Sequence, residues 1–114
     1  MAPKQLKRFA QELRFLAKSQ PKERTIFLRD ADDELITCLC ECAKNILNGN
    51  VPISNSRKRK LARYKTHLRS IADKNIPHVK RKRILTQQGG FISVLLKPII
   101  QALGGLLVGA MTGR

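Results

Sequence analysis

Lys80, Arg81, Lys82 and Arg83 stand in a row, and after a short spacer ending Gly89-Gly90 the chain turns apolar. From Phe91 to Met111 the only charge is Lys97. This join constrains the fold more than any other feature. The basic half wants phosphate, and the other half wants a surface without water. One molecule must serve both.

The charge is concentrated. The chain has 114 residues and a formal net charge of +15. Residues 1–56 hold nine Lys/Arg against seven Asp/Glu. Residues 57–83 hold twelve Lys/Arg against Asp73 alone, a net +11. A footprint of that density points to nucleic acid or an anionic membrane. The length allows one small domain and a tail. Nothing alternates with period two for long enough to predict a strand, so the fold class is all-α.

Leu6, Phe9, Leu13 and Leu16 make one apolar face and predict a helix over 4–17. Pro21 and Glu23 suit the start of a second, short helix reaching about Arg29. Asp30, Asp32, Asp33 and Glu34 crowd the start of a third, where the helix dipole favours anions. Leu35, Ile36, Leu39, Cys42, Ala43, Ile46 and Leu47 form its wide apolar face, and Gly49 is its stop. Ser54 or Ser56 caps a fourth helix running to about Ala72, with Leu61, Tyr64, Leu68 and Ile71 inside. A short basic helix follows from Pro77 to about Leu85. These elements predict a helical domain over 1–73, a basic linker over 74–90 and an apolar C-terminal helix over 91–114.

As a straight helix the stretch from Phe91 to Met111 is about 31 Å long, near the thickness of a bilayer core. Pro98 and Gly104-Gly105 predict a kink or break in it. Ser93, Lys97, Gln101, Gly105, Gly109 and Gly113 recur every four residues, polar first and then small. The glycines of that row, Gly105, Gly109 and Gly113, let two helices approach closely. The other faces carry Phe91, Ile92, Leu95, Leu96, Ile99, Ile100, Leu103, Leu106 and Leu107, the candidates for binding a membrane or a partner. Three readings stand: a membrane-active amphipathic helix, a tail anchor, or a segment docking in a protein groove. A buried core helix fits less well, because short amphipathic helices do not easily surround an element apolar on most sides.

The candidate DNA contacts are Arg57, Lys58, Arg59, Lys60, Arg63, Lys65, Arg69, Lys80, Arg81, Lys82 and Arg83. Neutralising phosphates releases counterions, which gives affinity with little sequence preference. The alternative is a solvated charged face, which ordinarily carries acids too; here they are missing. Either cluster also fits a nuclear-import signal. The sequence holds no complete zinc finger, basic zipper or aromatic stacking motif.

Cys38, Cys40 and Cys42 read as reduced, partly buried thiols. A zinc site would need a fourth ligand from His67 or His78. No metal, cofactor or catalytic motif is expected, and the chain is read as non-enzymatic. The N-terminus lacks the apolar region of a secretory signal.

The run Arg83-Ile84-Leu85-Thr86-Gln87-Gln88-Gly89-Gly90-Phe91-Ile92-Ser93-Val94-Leu95-Leu96-Lys97-Pro98-Ile99-Ile100, basic before and small after, resembles small proteins encoded by Maverick/Polinton-type elements and the related adintoviruses. The stretch Asp33-Glu34-Leu35-Ile36-Thr37-Cys38-Leu39-Cys40-Glu41-Cys42-Ala43-Lys44-Asn45-Ile46-Leu47-Asn48-Gly49-Asn50-Val51-Pro52-Ile53-Ser54 looks like the same group. Those proteins are in turn similar to the precursor of the adenovirus core peptide mu, which joins a basic region to a Gly-Gly-Phe-led apolar end. The resemblance implies a virion component that condenses double-stranded DNA beneath a capsid, made in the host nucleus. The helical region is a departure from mu, which implies more than simple condensation. Sequence and resemblance together lead to an expectation of nonspecific DNA packaging, with the tail attached to capsid protein, other copies or a bilayer. The rivals are a membrane-active entry protein and a nuclear regulator that binds a host protein.

Overall fold

Helix α1 (Pro3–Arg8) and helix α2 (Ala10–Lys18) share the predicted apolar face, with Leu6, Phe9, Leu13 and Leu16 all buried. In this computed structural model the backbone is described for residues 3–111 except 88, and side chains for 6–87 and 90–101. The single helix expected over 4–17 is broken at Phe9, whose φ of −104° and ψ of 19° leave the helical region. The Phe9 carbonyl still accepts from the Leu13 amide at 2.8 Å, so the break is a cap rather than a loop.

Helix α3 (Pro21–Arg29) starts as its sequence predicts. Pro21 occupies the first turn, where a missing N–H costs nothing. Glu23 reaches back to accept from the Gln20 amide at 3.0 Å. Helix α4 (Asp33–Leu47) has Asp32 at its N-cap and Asp33 and Glu34 in its first turn. It stops at Gly49, whose φ of +74° favours glycine. The Gly49 amide donates to Ile46 at 3.1 Å and the Asn50 amide to Asn45 at 2.9 Å, the paired bonds of a Schellman C-cap.

The predicted fourth helix is two: α5 (Asn55–Ala62) and α6 (Lys65–Ala72). The Ser54 side chain accepts from the Arg57 amide, capping α5. At Arg63 and Tyr64 the amides bond three residues back, to Lys60 and Leu61, which tightens the chain and ends the helix. Helix α7 (His78–Gln87) leads through a 3-10 turn, Gly89–Phe91, into α8 (Ile92–Met111).

Here one expectation is corrected. The apolar helix is not a segment beyond the helical domain. Phe91, Ile92, Leu95, Leu96 and Ile99 are all 1% exposed or less, and Ile100 is half-buried. Helices α1, α2, α4 and α5 pack around the chain from Ile92 onward, and α7 packs on α3 and α6. The boundary drawn at residue 73 therefore divides one core. Burying a large apolar side chain contributes about 1.5–3 kcal/mol. Exposing these five would cost on the order of 10 kcal/mol, which is the size of a domain's whole net stability. The small domain cannot spare them, because they complete its core.

Helix α8 runs without a break from Ile92 to Met111, Pro98 included. Pro98 is itself buried among flanking core residues. The polar row predicted along this helix is its outer edge, with Ser93 half-buried and Lys97 and Gln101 exposed. Leu103, Gly105, Leu106, Leu107 and Gly109 are outside the residues with described side chains, and Gly113 is outside the described residues. Among the described residues the structure is all-helical, and no helix is long and apolar enough to cross a membrane.

Candidate nucleic-acid interface

Three successive helices, α5, α6 and α7, have no acidic residue in their first turns. Among the described residues Arg8 forms an ion pair with Glu34, and the His78 ring nitrogen lies 3.1 Å from Asp33. No Lys or Arg of 57–83 has a carboxylate partner there. Asp73, the one acid of that stretch, is engaged by the Asn75 amide at 2.9 Å.

The fold sorts the basic residues. Lys58, Arg59, Lys60 and Arg63 are exposed on α5 and at its end. Lys65 and Arg69 are exposed on α6, whose other side buries Leu68 and Ile71. Lys80 and Arg83 are exposed on the neighbouring α7. Arg57 is partly withdrawn, because its guanidinium donates to Gln101 Oε1 at 3.0 Å and ties α5 to α8.

The run Lys80–Arg83 is split by the helix. Lys82 turns inward and donates from Nζ to the Ala31 carbonyl at 3.2 Å. Arg81 is half-buried beside the Cys40 thiol, and its Nε has no hydrogen-bond partner among the described residues. Both cations hold α7 against the rest of the fold, so only Lys80 and Arg83 of the four project outward.

Lys74, in the turn after α6, was missed by reasoning from helical faces and is also exposed. Its signal is membership in the +11 stretch. With Lys44 and Arg81 it surrounds a cleft of ≈ 310 Å³ that has Cys40 in its wall, alongside Glu41 and Asp73. Burial raises the Cys40 thiol above its ordinary value, and Arg81 opposes the shift. A different groove, of ≈ 630 Å³, lies between the end of α4 and α5–α6. Leu47, Val51, Ile53 and Leu61 give it an apolar lining, and Lys58 and Lys65 supply its charge.

His67 and His78 do not come together with the cysteines. His67 stacks on Phe91 and His78 pairs with Asp33 at 3.1 Å. Among the described residues no three metal-ligating side chains cluster. The apolar candidates Phe91, Ile92, Leu95, Leu96 and Ile99 are buried in the core.

What the arrangement offers chemically is a surface of exposed cations without internal neutralisation. Comparisons with protein-family models, curated proteins and solved structures give no match for this chain.

Proposed function

We propose that this chain is a sequence-nonspecific DNA-binding and packaging protein of a viral or virus-like particle. One observation carries the reading. Nine of the twelve Lys/Arg in residues 57–83 are exposed, and none has a carboxylate partner among the described residues. An uncompensated surface of that kind repels itself unless a polyanion covers it. Duplex DNA, with one phosphate charge per about 1.7 Å of axis, is such a polyanion.

The viral setting and the host nucleus come from the resemblance to Polinton-type and adintovirus proteins. The chemistry required is modest: phosphate contact from exposed side chains, no base reading and no catalysis. Attachment to capsid protein, other copies or a bilayer, expected of residues 91–111, falls in this reading to the part of α8 beyond Gln101. The helices before it act as a rigid mount for the cations.

The test is fluorescence anisotropy of the full chain with a random-sequence duplex, titrated at several salt concentrations. Affinity should fall steeply with salt and stay nearly constant between unrelated sequences. A flat salt dependence, or strong preference for one sequence, would remove the reading.

A further inference from the structure

The acids of this cationic protein are not scattered. A groove of ≈ 530 Å³ opens between α2, α3 and the start of α4. Ile26, Phe27 and Leu35 give it an apolar lining, and Glu12, Asp30 and Asp32 lie along it. Ile26 is 59% exposed, and Phe15, whose ring meets Phe27 at 5.0 Å, is 40% exposed. Glu12 adds a second observation. Its Oε2 is shut off from solvent yet accepts no hydrogen bond among the described residues. A carboxylate oxygen left that way is costly, and a cation seated in the groove beside Glu12 would lower that cost.

The complementary piece is on the same chain. Val79, at the start of α7, is 69% exposed, more than any other large apolar side chain described. Lys80 and Arg83 flank it on the outward face, one and four positions along the helix. Apolar groove with acids therefore faces apolar knob with bases.

We infer that the groove at Ile26 and Glu12 receives the Val79 face of α7 from a second copy of this chain. The contact joins two different surfaces, so beyond a single reciprocal pair it can also propagate from copy to copy along a line. A mutual, groove-to-groove pairing would oppose acid to acid. The groove holds only a few side chains, so the contact is weak between free copies that each carry +15. Copies side by side on DNA are partly neutralised and held at high effective concentration, on the order of 1 mM. DNA coating is then cooperative, with Lys80 and Arg83 turned to the neighbour's acids and the exposed cations of α5 and α6 left on phosphate. That coupling rests on the DNA-binding reading above; the docking itself does not.

The experiment compares the native chain, I26S and V79S on a duplex that admits one copy and on one that admits many. Neither substitution changes charge, and both positions are exposed, so binding to the short duplex is unchanged. The native chain binds each site of the long duplex at least about tenfold more tightly, a modest contact energy. Each variant loses that gain. Equal per-site affinity on both duplexes for the native chain, or an undiminished gain in both variants, overturns the inference. Failure of the native chain to bind either duplex instead overturns the DNA reading. Docking is then read by sedimentation without DNA, at a protein concentration on the order of 1 mM and at salt that screens the net charge. Self-association lost in both variants supports the contact, and a monomeric native chain rejects it.

Discussion

His67 lies flat on Phe91, with ring centroids 6.0 Å apart and planes 4° from parallel. Tyr64 meets the same ring at 5.8 Å, tilted by 41°. Both partners belong to the basic stretch, and Phe91 begins the apolar one. The two halves of the chain's conspicuous join are thus packed on each other. This contact keys α6 to the start of α8, and aromatic pairs at such spacing add to the burial they bring.

Phe91→Ala should therefore cost about 3–5 kcal/mol of stability, the usual range for a buried Phe. Urea unfolding followed by circular dichroism measures it. A loss below about 1 kcal/mol would mean that the ring is not the keystone described.

Removing the chain after Gln87 makes a sharper comparison. If α8 were an appendage, residues 1–87 would stay folded. Because Phe91, Ile92, Leu95, Leu96 and Ile99 fill the core, the shortened chain should lose cooperative unfolding and most of its helicity. Thermal melting of both chains decides between the two.

The basic run offers a paired test. Lys80 and Arg83 project into solvent, while Lys82 is bonded to Ala31 and Arg81 is set beside Cys40. In the DNA-binding reading, on a duplex that admits one copy, K80Q with R83Q should reduce the salt slope by up to about 0.9 per lost phosphate contact. Its melting temperature should hardly move. R81Q with K82Q should do the reverse, lowering stability by about 1–3 kcal/mol with a smaller change in slope. Equal slope changes in the two double variants would contradict this division of labour.

That division shows where the sequence stopped being readable. The periodicity of Leu6, Phe9, Leu13 and Leu16 named the buried face correctly, because a helix surrounded on one side needs only one stripe. The glycine stop at Gly49 was legible because a single residue carries the φ it needs. The breaks at Phe9 and Tyr64 were not legible. They interrupt runs whose apolar spacing continues across them, and tertiary packing of Tyr64 on Phe91 overrides local propensity. The place of α8 was misread for a related reason. A helix apolar on most sides is equally suited to lipid, a groove or a core, and only the shape of its neighbours decides. Which cations of Lys80–Arg83 face outward likewise depends on where Ala31 and Cys40 come to rest. Arg24 shows the same limit: it is a buried guanidinium bonded to the Ser19 carbonyl at 3.2 Å, and no motif marks it out.

Gly49→Ala should destabilise the chain by about 1–2 kcal/mol, the cost of placing a Cβ in left-handed backbone. Apart from the glycine and its two chain neighbours, nothing lies within 4 Å of the added carbon, so the penalty is local to the backbone rather than a clash with packed neighbours. Gly49→Asn should recover part of it, because Asn tolerates that region better. Chemical denaturation of the two variants compares them directly. Equal costs would point to crowding instead.

The cysteines set a limit at high pH. Cys42 donates toward Cys38, which with burial holds Cys42 well above its ordinary value and lowers Cys38. Burial raises Cys40, against the pull of Arg81. A thiol raised in the folded state contributes fully below its unfolded value, about 8.5. As pH climbs past that value, the unfolded chain gives up the proton while the folded chain keeps it. Stability then declines by up to about 1.4 kcal/mol per pH unit for each such thiol, until the folded value is passed. Cys38 acts in the opposite direction, so the sum is smaller than three thiols would give. The check is urea stability from pH 7 to 10 for the native chain and for Cys40→Ala. The variant loses some stability at every pH through its missing sulfur, but its alkaline decline should be shallower. An identical slope would mean that the Cys40 thiol ionises as freely in the fold as outside it.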